Sequence, residues 1–303
     1  MKLLKKILDL IHSINSKING HPYAHKHKFY FWLQYIRLYI IVRVFNSSMQ
    51  YNWINDINFI VDVNDWAFAR NCYLGLNEFN YSCFALHYLR DDDLFIDVGA
   101  NLGHYSLLVG SISNSDVISF EPDKKTFLKL KKNIELNKLD NIKIYNLGLG
   151  DKNEDLFLKS MRNNGHNYIV KSDSGHEKIK ITQLNQLDIK TMPSLIKIDV
   201  EGYEKKVLQG ATKILKNQKL NAMIIEISHH CERYQDTIND ILKLINEYGF
   251  KAYDYNPFSR QLTTFDLDNI SLEQNIIFIR NLNNAQNLLD SAKHIKIDNK
   301  FKI

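Results

Sequence analysis

Cysteine is scarce: Cys72, Cys83 and Cys231 are the only three in 303 residues. An odd number with no C-x-x-C spacing builds neither a disulfide framework nor a zinc ribbon. It suits a reducing cytoplasm. No signal peptide is evident, because the apolar residues after the basic start Met1-Lys-Leu-Leu-Lys-Lys are broken up by Asp9, His12, Ser13 and Asn15. No apolar run is long enough to cross a bilayer either. The nearest, FYFWLQYIRLYIIVRVF from Phe29 to Phe45, spans 17 residues and is interrupted by Gln34, Arg37 and Arg43. There is no internal repeat and no G-x-G-x-x-G, and the core has no aromatic-basic platform, so a nucleic-acid target is not expected.

The 45% hydrophobic and 24% charged residues belong to a folded globular chain, and the length suits one catalytic domain with an appendage. The net charge of +5 is unevenly spread: in residues 1–45 eight Lys and Arg face Asp9 alone, giving +7 there and about −2 elsewhere. Leu3, Leu4, Ile7, Leu8, Leu10, Ile11, Ile14 and Ile18 recur at near-helical spacing, so residues 3–18 are expected to form an amphipathic helix ended by Gly20, His21 and Pro22. Residues 1–50 therefore read as a basic, aromatic, mainly helical appendage. Residues 51–90 read as a small prelude with a strand-like run at 58–63 and a helix at 77–90.

From residue 91 apolar runs alternate with helical patterns, the signature of a parallel sheet with crossover helices. Seven strands are expected, at 94–98, 116–121, 142–147, 195–199, 222–228, 251–255 and 275–280. Helices are expected at 103–112, 124–137, 203–216 and 235–248. The fold class is thus α/β, a seven-stranded, mostly parallel, Rossmann-like sheet with helices on both faces. It spans 91–282, with an insertion of loop or short strands at 150–190 and a polar, loosely held tail at 283–303.

Asp97-Val-Gly-Ala-Asn-Leu-Gly103 closes a buried strand and opens a helix. Gly99 and Gly103 remove side chains from a turn beside free helix N–H groups, a crevice suited to a nucleoside. Glu121 closes the next strand, 24 residues beyond Asp97, where such folds set a carboxylate on ribose hydroxyls. Asp123 is better placed to cap the helix that follows. Asp91-Asp92-Asp93 reads most simply as a solvated turn.

D-V-G-A-N-x-G-x-Y-S, then F-E-P, then Ile196-Lys-Ile-Asp-Val-Glu-Gly-Tyr-Glu204 with Val207-Leu-x-Gly210, resembles the FkbM-type methyltransferase family over roughly residues 91–230. The resemblance implies a class I methyltransferase fold using S-adenosylmethionine to methylate a hydroxyl of a sugar or other small polar metabolite. It implies cofactor contacts from Asp97, Gly99, Asn101, Gly103 and Glu121, and from Asn146 near the adenine. Many class I enzymes carry glycine where this chain has Asn101, a residue that tolerates the left-handed backbone.

Asp199 and Glu201 stand where the methyl group should emerge. Asp199 is the leading base or substrate-orienting group, and Gly202 leaves Glu201 either facing the site or capping the next helix. Glu226, inside an apolar strand, must reach the active site or meet a basic partner. Asp199, Glu201 and Glu226 also offer oxygens suited to Mg²⁺, but their spacing is no recognised metal signature and the expectation is a site without metal. His25-Lys-His27 and His229-His230-Cys231 lack the spaced partners of a zinc site.

Asp254-Tyr-Asn-Pro-Phe258 departs from the motif of nucleic-acid amino methyltransferases and follows the wrong strand. An NAD-binding oxidoreductase and a non-catalytic membrane-surface module are the competing functions. The expected location is the cytoplasm, with residues 1–45 either packed on the fold or lying on the inner face of a membrane. A small-molecule or glycan acceptor is the expected partner.

Overall fold

The structure is a computed structural model, and it describes residues 2–45, 47–62, 65–160, 167–297 and 302–303. Helix α1 (Lys2–Gly20) precedes α2 (Lys28–Leu38), which runs on through a wider turn at Tyr39–Val44. The strands β1 (Met49–Asn52) and β2 (Asn58–Val61) form an antiparallel hairpin, and α3 (Trp66–Leu74) and α4 (Phe79–Tyr88) follow. The strand-like run expected at 58–63 ends at Val61, and Val63 lies outside the described residues.

The large sheet takes β3 (Leu94–Val98), β4 (Asp116–Phe120) and β5 (Ile142–Tyr145) on one side. A second, smaller sheet of β6 (Gly148–Leu149), β7 (Glu154–Ser160), β8 (Asn167–Val170) and β9 (Glu177–Thr182) comes next. The chain then returns to the large sheet with β10 (Leu195–Ile198), β11 (Ala222–Ser228), β12 (Lys251–Asn256), β13 (Gln261–Thr264) and β14 (Glu273–Ile279). Its order is β13-β12-β14-β11-β10-β3-β4-β5, parallel from β11 to β5, with β14 antiparallel to both neighbours. Eight strands stand where seven are expected, because β12 turns back into the edge strand β13.

Strands β3, β10 and β11 are buried along their whole length. Alternate residues therefore feed two cores. On one face Phe95, Leu195 and Ile224 join Leu107 of α5 (His104–Leu108), Leu130 of α6 (Lys124–Leu136) and residues of the N-terminal helices. On the other, Ile96, Ile198 and Ile225 meet α7 (Glu204–Gln209), α8 (Thr212–Lys216) and α9 (Ile238–Glu247). The helix expected at 203–216 is thus two helices, broken at Gly210 and Ala211. Asp123 caps α6 by accepting from the Thr126 N–H, and Thr237 with Asp240 forms a capping box on α9.

The chain winds outward from β3 through β4 to β5 and then returns to β10 on the other side of β3. That reversal leaves a crevice beyond the carboxyl ends of β3 and β10, the place where open α/β sheets bind ligands. The segment read as a loose tail begins with α10 (Leu282–Asp290), whose Ala285 and Leu289 are buried. Ile295 and Ile303 exchange backbone hydrogen bonds beyond it.

Candidate active site

On the β3–β4 side of the crevice, backbone geometry decides most of the arrangement. Gly99 is held at φ +82°, and a Cβ there would stand 1.9 Å from the carbonyl oxygen of Asp199, so only glycine lets the two strand ends pass. The N–H groups of Gly99 and Ala100 both donate to the Phe120 carbonyl at 3.0 Å, tying the turn to the end of β4. Asn101 adopts φ +50°, in the left-handed region that Asn tolerates.

Glu121 is the hub of this half. Its Oε2 accepts the Asn101 N–H and its Oε1 the Asp123 N–H, each at 2.9 Å. Burial pushes its carboxyl up to about 8 against the pull of those two amides. Each oxygen accepts one backbone hydrogen bond and keeps a second lone pair for a ligand. Asp97 is turned into the protein: it accepts from Ser106 Oγ at 2.5 Å, and Ser106 in turn lies 2.8 Å from Ser119 Oγ. Burial raises the Asp97 carboxyl to about 6. Asn146 donates to the carbonyls of Glu121 and Pro122, both at 2.9 Å, which leaves its Oδ1 for a ligand. Gly103 opens α5 at φ +97°, packed against Leu130.

On the β10–β11 side the organising group is a lysine. Lys197 is 1% exposed within the apolar run Leu195-Ile-Lys-Ile198, and its Nζ donates to Asp199 Oδ2 at 2.9 Å. Burial works to lower its pKa, but the charges of Asp199, Glu78 and Glu226 outweigh burial and hold it above its usual value. Its ammonium also lies 5.6 Å from the Tyr105 ring. Glu78 accepts from the Tyr105 hydroxyl at 2.7 Å and from Asn275 Nδ2 at 3.1 Å. Asn275 on β14 stands opposite Glu226 on β11. One buried network thus joins the second strand half to the loop before α4.

That network is incomplete. Glu226 Oε2 and Asn275 Oδ1 are buried without a hydrogen-bond partner among the described residues. A buried polar atom left so costs about 1–3 kcal/mol, which a donor-bearing ligand would recover. Burial raises the carboxyls of Glu78 and Glu226 above the usual range, with Lys197 working in the opposite sense.

The turn after β10 separates two acids. Glu201 at φ +56° and Gly202 at φ +102° bend the chain sharply, and a Cβ on Gly202 would stand 2.5 Å from the His230 carbonyl. Glu204 braces the turn, accepting from the Gly202 N–H at 3.0 Å, and burial pushes it up to about 7. Glu201 turns to the site: its Oε2 lies 3.1 Å from His230 Nδ1, and one oxygen each of Asp199, Glu201 and Glu226 lie within 4.8 Å of one another.

The sequence-expected acids Asp199, Glu201 and Glu226 therefore converge, while Asp97 and Glu121 lie on the neighbouring strands. Glu78, Tyr105, Lys197 and Asn275 had no sequence-based role, whereas His230, read from the sequence as a surface or substrate-pocket residue, stands beside Glu201. A lysine inside an all-apolar strand was the one available signal, since burial of that charge demands acidic partners. His104, another such residue, sits between Asn71 Nδ2 at 3.0 Å and Ser82 Oγ at 2.8 Å, and burial, then Lys197, lowers it to about 3. Asp93 is not the solvated turn residue expected: it is buried, paired with Lys219 at 2.8 Å and bonded by Ser194.

A family model described as the methyltransferase FkbM domain matches residues 97–252. "Methyltransferase 1" of Beauveria bassiana is 29% identical over 154 residues, covering 42% of this chain and 62% of the relative. The hexuronic acid methyltransferase AglP of Haloferax volcanii is 28% identical over 167 residues, covering 52% of this chain and 63% of the relative. The chain therefore spans less than two thirds of either relative. Among solved structures, a putative methyltransferase from Streptococcus mutans in complex with SAH is 12% identical, with a TM-score of 0.43 over 66% of this chain and 95% of that one.

Proposed function

The chain belongs to the methyltransferase FkbM family, and from that premise we propose that it moves a methyl group from S-adenosylmethionine to a hydroxyl of a sugar, glycan or related polar metabolite. The observation that carries the reading is Glu121, a buried carboxylate beside the Gly99 turn with a lone pair open on each oxygen. Two vicinal hydroxyls of a ribose are the complementary donors. The second half of the crevice suits a cation: Glu78, Asp199 and Glu226 act on the ammonium of Lys197, and Glu201 joins Asp199 and Glu226. The bound cofactor would supply an electrophilic methyl on a sulfonium.

In this reading Asp199 acts on the acceptor. Lys197 fixes its Oδ2, which leaves Oδ1 to accept the hydrogen bond of the incoming hydroxyl and take its proton as the new bond forms. Glu201, beside His230, and Glu226 line the same space and orient the polar acceptor. The likeness to a hexuronic acid methyltransferase supports a sugar-like acceptor. A second reading rests on the convergence of Asp199, Glu201 and Glu226, whose oxygens would hold a divalent cation that lowers the acceptor's pKa.

The test is transfer of labelled methyl to a panel of uronic acids, nucleotide sugars and glycans. Asp199→Asn is expected to lower turnover by about 10²–10⁴ while leaving cofactor affinity within a few-fold. Unchanged turnover by a folded variant would remove Asp199 from the chemistry. Loss of wild-type turnover on chelation, restored by Mg²⁺, would favour the metal reading.

A further inference from the structure

Helix α2 carries two apolar stripes. Phe31, Tyr35, Leu38 and Val42 are buried against the fold, whereas Phe29, Leu33, Ile36 and Ile40, on the opposite side of the same helical path, are exposed. Phe29 is 78% exposed. An amphipathic helix in a globular protein needs one apolar stripe, and a second one marks a second contact. In α1 the stripe that buries Ile14 and Ile18 runs on to Ile11, which is exposed together with Leu8 and Leu10.

The surroundings of the outer stripe indicate what covers it. Lys28 and Arg37 flank it, and Lys5 and Lys17 are exposed on α1, against the single acid Asp9 in the first 45 residues. Beside the stripe lies a cleft of about 340 Å³ lined by Tyr30, Gln34, Gln50, Asn52 and Asn58, with Arg37 its one charged group. Aliphatic and aromatic side chains ringed by cations, next to a polar cleft holding a guanidinium, match acyl chains below anionic headgroups. No helix among the described residues is long and apolar enough to cross a membrane, so such contact is made by lying on the surface.

We propose that residues 5–45 form a docking surface for an anionic lipid bilayer, with the Phe29–Leu33–Ile36–Ile40 stripe entering the interface and Arg37 receiving a lipid phosphate. Inward of this surface, Tyr23 and Phe31 pack on Gly75, three residues before Glu78. Docking would thus hold the membrane next to the segment that carries an active-site carboxylate. The proposal stands independently of the chemistry performed there.

The full chain is spun with vesicles of phosphatidylcholine alone or mixed with phosphatidylglycerol. Wild type should pellet with the anionic vesicles at low salt and be released as salt rises. The triple variant Phe29→Ser, Leu33→Ser, Ile36→Ser, whose sites are already solvated, should keep its melting temperature and lose at least about a hundredfold in partition. Arg37→Gln should lose about fivefold on anionic vesicles only. Wild type left in the supernatant, or a triple variant that pellets unchanged, overturns the proposal. So does a wild-type dimer that the triple variant splits without any vesicle binding, which would make the stripe a self-interface. Inorganic phosphate that stabilises wild type in the absence of any vesicle binding would make the Arg37 cleft a soluble-anion site and overturn it likewise.

Discussion

Glu121 concentrates the competing forces of the site. Burial favours its protonated form, raised to about 8, whereas two backbone amides favour the carboxylate. Hydroxyl donors from a ribose would side with the amides and lower that value on binding. Below pH 8 the free protein therefore holds a proton that the complex releases, so affinity should climb as pH rises, by up to about tenfold per pH unit, and level off near 8. Titration calorimetry in buffers of different ionisation enthalpy should detect the released proton. Glu121→Gln is expected to abolish that release and weaken binding by about 1.5–3 kcal/mol; a proton release that survives the substitution would assign it elsewhere. The position was legible in the sequence because Phe120-Glu-Pro ends an apolar strand at the expected distance from Asp97. The occupation of Asn146 by two carbonyls was not, since an exposed-looking Asn gives no hint of which backbone it will bind.

Among the elements, β10 places a cation, Lys197, within a strand buried on both faces, where β3 and β11 place the acids Asp97 and Glu226. Removing one partner of a buried ionic network leaves the rest uncompensated, so Lys197→Met should cost about 3–5 kcal/mol in chemical denaturation. The exposed pair Lys131–Glu135, 3.8 Å apart on α6, serves as the control: Lys131→Ala should cost less than about 0.5 kcal/mol. Equal costs would show that the network does not stabilise β10. The seven strands of the sheet were legible because each is a short apolar run or, as in β5 and β12, a short alternating one. The eighth, Gln261-Leu-Thr-Thr264, has no such run: it is an edge strand held by its hairpin with β12. Likewise the 150–190 stretch is polar on average, yet β7 and β9 alternate, and Leu156, Leu158, Ile179 and Ile181 form their own small core. Of the site, each strand-end acid was visible locally. Glu78, Tyr105 and Asn275 were not, because they come from distant segments that only the tertiary fold brings to Lys197.

At the scale of the molecule, the appendage and the prelude share one hydrophobic core with a face of the large sheet. Phe31, Phe59 and Phe84 belong to the same cluster as Phe95 and Ile224. The inner stripe of the aromatic run packs on the fold, as one of its two expected fates had it, and the outer stripe is exposed. The charge arrangement also weighs between cofactors. An NAD pyrophosphate would meet Glu78, Asp199, Glu201 and Glu226 across the crevice, whereas a sulfonium is attracted to them. Glu226 Oε2 and Asn275 Oδ1, buried without partners among the described residues, are atoms that a donor-bearing ligand would satisfy. Titration calorimetry of the folded wild-type chain with S-adenosylmethionine, its demethylated product and NAD tests methyl-donor binding directly. Saturable binding of the first two, weakened by Glu121→Gln, with no heat from NAD, is the expected result; absence of binding to either, or tighter binding of NAD, would contradict it.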